Sequence, residues 1–218
     1  MIRYAITDRS QLPPQNANAE AERRISLFAL ARQWAEQQID YIQLREKDLS
    51  DGEMEQIACA ITAVIHSLKN EGLKSRTKLL LNSRADVALA AGADGVHLTA
   101  APGRLTPAQV RTLFAQAGRL MPVVSISCHT LEQVVRAHRE QADLILFGPV
   151  FGKTLAGAEV TPAAGLEALR SACNAAGDTP VLALGGVTES NAQSCLEAGA
   201  KGIAAIRFFA DRIHGKIG

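Results

Sequence analysis

The chain has 218 residues with a formal net charge of +1, a length that suits one large α/β domain over residues 1–218 without a Pro/Ser-rich linker. Charges of both signs are scattered, which leaves no footprint for nucleic acid or a membrane surface, so the expected partner is a small molecule. Cys59, Cys128, Cys173 and Cys195 form no CxxC pair and no long apolar run occurs, so a cytoplasmic location is expected.

In chain order, residues 3–8 read as a short strand, and Pro13, Pro14, Asn16 and Asn18 as the loop after it. Residues 20–38 follow as a helix, with Ile25, Phe28, Leu30, Trp34 and Ala35 at roughly helical spacing. The unit then repeats. A strand over 39–45 precedes a helix over 51–69, whose apolar stripe is Ile57, Ile61, Val64, Ile65 and Leu68. Strands over 78–82 and 95–98 precede helices over 85–91 and 106–117.

The fifth unit carries the strongest signal. Val123-Val124-Ser125-Ile126-Ser127-Cys128-His129-Thr130 is a β-branched run that breaks into Ser, Cys and His, as a buried strand ending at an active mouth would. Alternation sends Ser125, Ser127 and, if the extended backbone persists, His129 to one side, with Ile126 and Cys128 on the other. Thr130 is placed to cap the next helix.

Strands over 144–150, 180–186 and 202–206 complete the series, with a Gly-containing loop and helix 162–175 after the first and helix 188–198 after the second. Eight strands alternating with helices imply parallel pairing and favour a closed (β/α)8 TIM barrel of the α/β class. Residues 88–98 resemble residues 195–205: each is a helix end, a glycine stop and a new strand. After the eighth strand little chain remains, so the last helix is expected to be short or missing. A second copy would cover the barrel there, which makes a homodimer one expectation.

The C-terminal strand ends of such a barrel share one face, where chemistry sits. Gln43 and Arg45 share a strand side with Lys47 just beyond, so an anion is expected there: either a ligand, or Glu46 or Asp48 in a rim ion pair. Gly185-Gly186 opens a helix after the seventh strand, which fits phosphate binding or only a tight turn. Asn82 ends the third strand, and Lys153 and Thr154 lie in a loop that either closes over ligand or is a solvated connection. His97 reads as a satisfied core histidine, and His66, His138 and His214 as surface or packing residues. His129 alone ends a strand among hydroxyls, as a general base would. A Cys128/His129 nucleophile pair is disfavoured because strand neighbours point opposite ways.

Taken together, residues 4–8, Ile42-Gln43-Leu44-Arg45-Glu46-Lys47, Asn82-Ser83-Arg84-Ala85-Asp86, Gly95-Val96-His97-Leu98, Ser127-Cys128-His129-Thr130, residues 147–151, Leu184-Gly185-Gly186-Val187 and residues 198–204 resemble the ordered motifs of the thiamin phosphate synthase family, which includes the thiazole tautomerases. The resemblance runs almost end to end and implies a barrel of thiamin biosynthesis that binds a thiazole phosphate.

Two activities follow from it. A synthase joins a pyrimidine pyrophosphate to thiazole phosphate, with Gln43, Arg45 and Lys47 matching the pyrophosphate contacts and two Asp holding Mg2+. Those Asp positions are Ser83 and Pro102 here, and the Thr-x-Thr-Lys loop is shortened to Gly152-Lys153-Thr154. A tautomerase moves a proton on a carboxythiazole phosphate and uses no metal. The departures favour it, with His129 as base, no cofactor and no metal ligands. On that expectation Gln43, Arg45, Lys47, Asn82, Ser127, Lys153 and Thr154 contact substrate, and Gly185, Gly186, Ile206 and Arg207 hold the phosphate. Arg207, followed by Phe208-Phe209, replaces a small polar residue and would reinforce or block that phosphate site. A third alternative keeps the ligand site and has lost the chemistry.

Overall fold

A computed structural model describes residues 1–12, 19–70, 76–119, 121–155 and 158–210. The parallel strands are β1 (Ile2–Ile6), β2 (Tyr41–Leu44), β3 (Lys78–Asn82), β4 (Gly95–Thr99), β5 (Val123–Cys128) and β6 (Leu144–Phe147). After the hairpin strands β7 (Lys153–Leu155) and β8 (Ala158–Thr161) come β9 (Val181–Leu184) and β10 (Gly202–Ala205). The eight parallel strands close in the order β1-β10-β9-β6-β5-β4-β3-β2, the (β/α)8 barrel expected. Among the described residues seven α-helices connect them, α1 (Ala19–Glu36), α2 (Asp51–Asn70), α3 (Ala85–Ala90), α4 (Pro107–Gln116), α5 (Leu131–Arg139), α6 (Gly165–Ala175) and α7 (Glu189–Glu197), and α8 (Arg207–Ala210) follows the last strand. No helix among the described residues is long and apolar enough to cross a membrane.

Strand alternation divides the core in two. Tyr4, Ile6, Leu80, Val123, Leu144, Leu146, Leu182 and Ala204 fill the barrel interior, while Ala5, Leu81, Val124, Ile126 and Cys128 pack outward under the helices. On α2 Ile57, Ile61, Ile65 and Leu68 of the expected stripe are buried, while Val64 at its edge is half-buried. On α1 the buried face is Leu27, Leu30, Ala31, Trp34 and Ala35, and Ile25 is two-thirds exposed. Ile25 precedes Leu27 by two positions, about 200° around the helix, so the two cannot share a face.

The paired segments 88–98 and 195–205 behave alike. Gly92 and Gly199 hold φ of +68° and +107°, and in each case the next residue's N–H reaches five residues back, Ala93 to Ala88 O at 2.9 Å and Ala200 to Cys195 O at 3.1 Å. That is the Schellman closure, which turns a helix directly into the next strand.

Two expectations change. The connection after β6 is not only loop: β7 and β8 pair antiparallel, and α6 starts at Gly165 rather than near Pro162. The N–H groups of Ala164 and Gly165 donate to Pro149 and Val150 carbonyls at 2.8 and 2.9 Å, which ends the excursion there and delays the helix. At the other end, the described part of the last helix is the single turn Arg207–Ala210. Its Phe208 and Phe209 are buried, and Trp34 Nε1–H donates to Phe209 O at 3.2 Å, so these two rings cover part of the barrel. The expected loop residues Pro13, Pro14, Asn16 and Asn18, together with His214 and residues 211–218, lie outside the described residues.

Candidate active site

Just below the barrel mouth, β4 and β5 lie in register His97↔Ser125 and Thr99↔Ser127. Tyr4 Oη sits 2.9 Å from Ser125 Oγ and 3.3 Å from His97 Nδ1, His97 Nδ1 sits 2.8 Å from Ser125 Oγ, and His97 Nε2 sits 2.7 Å from Ser127 Oγ. Tyr4, Ser125 and His97 are buried, and the polar side-chain groups of this network partner one another, as an apolar interior demands. His97 is therefore the satisfied core histidine. Burial first, then the nearby Arg45 charge, pushes its pKa down to about 3, so it stays neutral.

That burial fixes a pH dependence. An unfolded imidazole titrates near ~6.5, so between there and about 3 the unfolded chain binds a proton that folded His97 refuses. Stability should fall as pH drops through that window, by up to about 1.4 kcal/mol per pH unit from this residue. Urea midpoints at pH 7 and pH 5 test this. A His97→Gln variant that loses as much stability on acidification as the wild type would rule it out.

His129 lies one residue past β5, and the start of α5 holds it. Thr130 Oγ1 accepts from Gln133 N at 3.3 Å, the cap expected, and His129 N donates to Gln133 Oε1 at 2.7 Å. The ring turns toward β6, with Nδ1–H donating to the Gly148 carbonyl. A carbonyl accepts only from N–H, so in the neutral ring Nδ1 carries the proton and Nε2 keeps its lone pair. His129 thus does not join the two serines in one space: His97 occupies the serines, and Gly148 holds His129. Cys128 faces the outer core, and burial pushes its thiol up to about 12, so no Cys/His nucleophile pair forms.

Across the mouth, Gln43 Nε2 donates to Asn82 Oδ1 at 2.8 Å, and the buried Gln43 Oε1 has no partner among the described residues. Arg45 is half-buried and Lys47 exposed. The rim ion pair of Arg45 with Glu46 or Asp48 does not form, because Arg9 takes both carboxylates. Nothing local in the sequence signals that role for Arg9, whose partners lie 37 and 39 residues away.

Gly185 and Gly186 hold φ of +91° and +65°. A Cβ at Gly185 would lie 2.7 Å from Pro149 Cα, and one at Gly186 2.6 Å from Phe151 Cβ. The glycine pair is required for the turn after β9 to pack on the loop after β6, whatever it binds. Ile206 packs against the inner core at the mouth and Arg207 is exposed, with Phe208 and Phe209 turned into the outer layer. Lys153 and Thr154 lie on β7, and their side chains are outside the described set.

The donors for Mg2+ do not fit. Ser83, exposed at φ +58°, stands where a carboxylate would, and its N–H donates to His97 O at 2.7 Å. Nearby Asp86 is engaged by Arg84 at 2.9 and 2.7 Å, and Pro102 offers no side-chain oxygen. Among the described residues no three His, Cys, Asp or Glu gather to hold a metal ion, and a hard cation needs such oxygens.

The comparisons agree with the motifs. Residues 4–209 match the family described as thiamine monophosphate synthase. Thiamine-phosphate synthase of Roseiflexus castenholzii is 34% identical over 205 residues, 94% of this chain and 79% of that one. The enzyme of the same name from Caldanaerobacter subterraneus is 33% identical over 205 residues, 93% and 83% of the two chains. The structure of thiamine phosphate pyrophosphorylase from Pyrococcus furiosus superposes with a TM-score of 0.70 at 27% identity, covering 94% of this chain and 85% of that one. With the barrel, the ordered strand-end motifs and these matches along nearly the whole chain, the protein belongs to the thiamine monophosphate synthase family, enzymes of thiamin biosynthesis.

Proposed function

We infer that this barrel binds a thiazole phosphate at its C-terminal mouth and moves a proton on the ring, with His129 as the base. The observation that carries this reading is the Nδ1–H bond from His129 to the Gly148 carbonyl, which leaves Nε2 as the proton acceptor. Nε2 takes the proton leaving the non-aromatic carboxythiazole ring, and the resulting imidazolium returns one at the position that completes the aromatic ring. The net change is an isomerisation, and it draws on no metal. Arg45, Lys47, Gln43, Asn82 and Ser127 are the substrate contacts of this reading, with Lys153 and Thr154 above them. Gly185, Gly186, Ile206 and Arg207 border the phosphate.

The names of the relatives favour the other reading, a synthase that joins pyrimidine pyrophosphate to thiazole phosphate, over the tautomerase. Against it stand Ser83 and Pro102, which leave the expected Mg2+ without its carboxylates. One pair of assays decides. Proton NMR of carboxythiazole phosphate without added metal is expected to show aromatisation faster than in buffer. Pyrimidine pyrophosphate plus thiazole phosphate with Mg2+ is expected to release no pyrophosphate above background. The opposite pattern would establish the synthase, and binding without either turnover a silent homologue.

A further inference from the structure

Residues 45–48 alternate in charge: Arg45, Glu46, Lys47, Asp48. Left to themselves, four such neighbours would neutralise one another at the rim. The fold sorts them instead. Arg9 follows β1 in a single 3-10 turn, Arg9–Gln11, and is only 5% exposed. Its Nη1 lies 3.1 Å from Glu46 Oε2 and 2.7 Å from Asp48 Oδ1, and its Nη2 2.9 Å from Asp48 Oδ2. Arg9 N donates to both Glu46 oxygens at 3.3 and 3.1 Å, and Arg9 Nε to Glu20 at 2.9 Å. One guanidinium thus spends its planar fork on both carboxylates of the segment.

Both cations of the segment are left over. Neither Arg45 nor Lys47 has an ion pair among the described residues. The backbone keeps Arg45 at the mouth, since Arg45 N donates to the buried Thr7 Oγ1 at 2.9 Å and Thr7 N to Gln43 O at 2.9 Å. Its charge is felt at His97, inside the barrel.

We propose that Arg9 is a positioning residue for anion binding: by sequestering Glu46 and Asp48 it keeps Arg45 and Lys47 available to an anionic group of the ligand. This rests on the reading of Arg45 and Lys47 as ligand contacts. It predicts that removing Arg9 harms the site through the carboxylates it releases, so neutralising those carboxylates should undo the damage. A residue that only braced the loop would show no such rescue.

Titration calorimetry with inorganic pyrophosphate as probe tests this on the full chain. Arg9→Met should weaken binding about tenfold, as Glu46 and Asp48 turn to Arg45 and Lys47. The triple variant R9M/E46Q/D48N should return to within about twofold of wild type, since no released carboxylate remains. Arg9→Met also strands the buried Glu46, and if it fails to fold, the triple variant, which buries no unpaired charge, still decides. An Arg9→Met protein that binds as wild type, or a triple variant that binds weakly, overturns the proposal. Arg45→Ala separates the two claims: if it leaves affinity unchanged, the anion-site reading falls and the proposal with it. If it weakens binding while folded Arg9→Met does not, the proposal alone falls.

Discussion

His129→Ala is expected to slow aromatisation of carboxythiazole phosphate by ~10²–10⁴-fold, the usual worth of one positioned acid–base group. The loss should fall on kcat, with KM changed far less, because on the proposed reading the ring supplies the proton acceptor while residues of other strands border the phosphate. His129 is exposed and outside the packed core, so the variant should keep the wild-type urea midpoint. Single-turnover NMR of the two proteins side by side provides the check. Equal rates would remove His129 as the base and leave the tautomerase reading without its chemistry.

Gly148→Ala is expected to have the largest effect on the fold. A Cβ at Gly148 would lie 1.9 Å from Leu184 O and 2.8 Å from Leu184 C, both backbone atoms of β9 that cannot swing aside. The inner and outer cores on either side are filled, so relief requires shifting β6 against β9, at a cost of about 3 kcal/mol or more. The Gly148 carbonyl receives the His129 Nδ1–H bond, so activity in the folded fraction should fall as well. Gly52→Ala is the control. Gly52 is the second residue of α2, with nothing within 4 Å of an added Cβ, and there the change should be neutral or stabilising by up to ~1 kcal/mol. Urea unfolding of the three proteins gives the answer, and a wild-type midpoint for Gly148→Ala would contradict the packing described.

The two effects meet at one place in the molecule. The Gly148 carbonyl fixes the His129 tautomer, and the loop after β6 that carries it is pinned by Val150 N to Leu184 O at 2.8 Å and Phe151 N to Gly185 O at 3.1 Å. Gly185 and Gly186 permit that contact through their positive φ. Glycines that resemble a phosphate loop in the sequence therefore also hold the carbonyl that orients the His129 ring.

The barrel is legible in the residue pattern alone, because that information is local and periodic. Strand runs alternate with helical stripes, glycine stops recur at residues 92 and 199, and Thr130 caps α5. The same pattern also places Gln43, Arg45, Asn82, Ser127 and His129 at strand ends on one face, since alternation and strand order alone decide that. What each of those groups is bonded to emerges only in three dimensions. Partners come from elements far apart in the chain: Tyr4 with Ser125, His97 with Ser127, His129 with Gly148, and Arg9 with Glu46 and Asp48. Hydrogen-bond geometry is set by closure of the barrel, to which a linear pattern is blind. That closure makes Arg9 rather than Arg45 the partner of the rim carboxylates, and it turns the His129 ring away from the serines two and four residues before it.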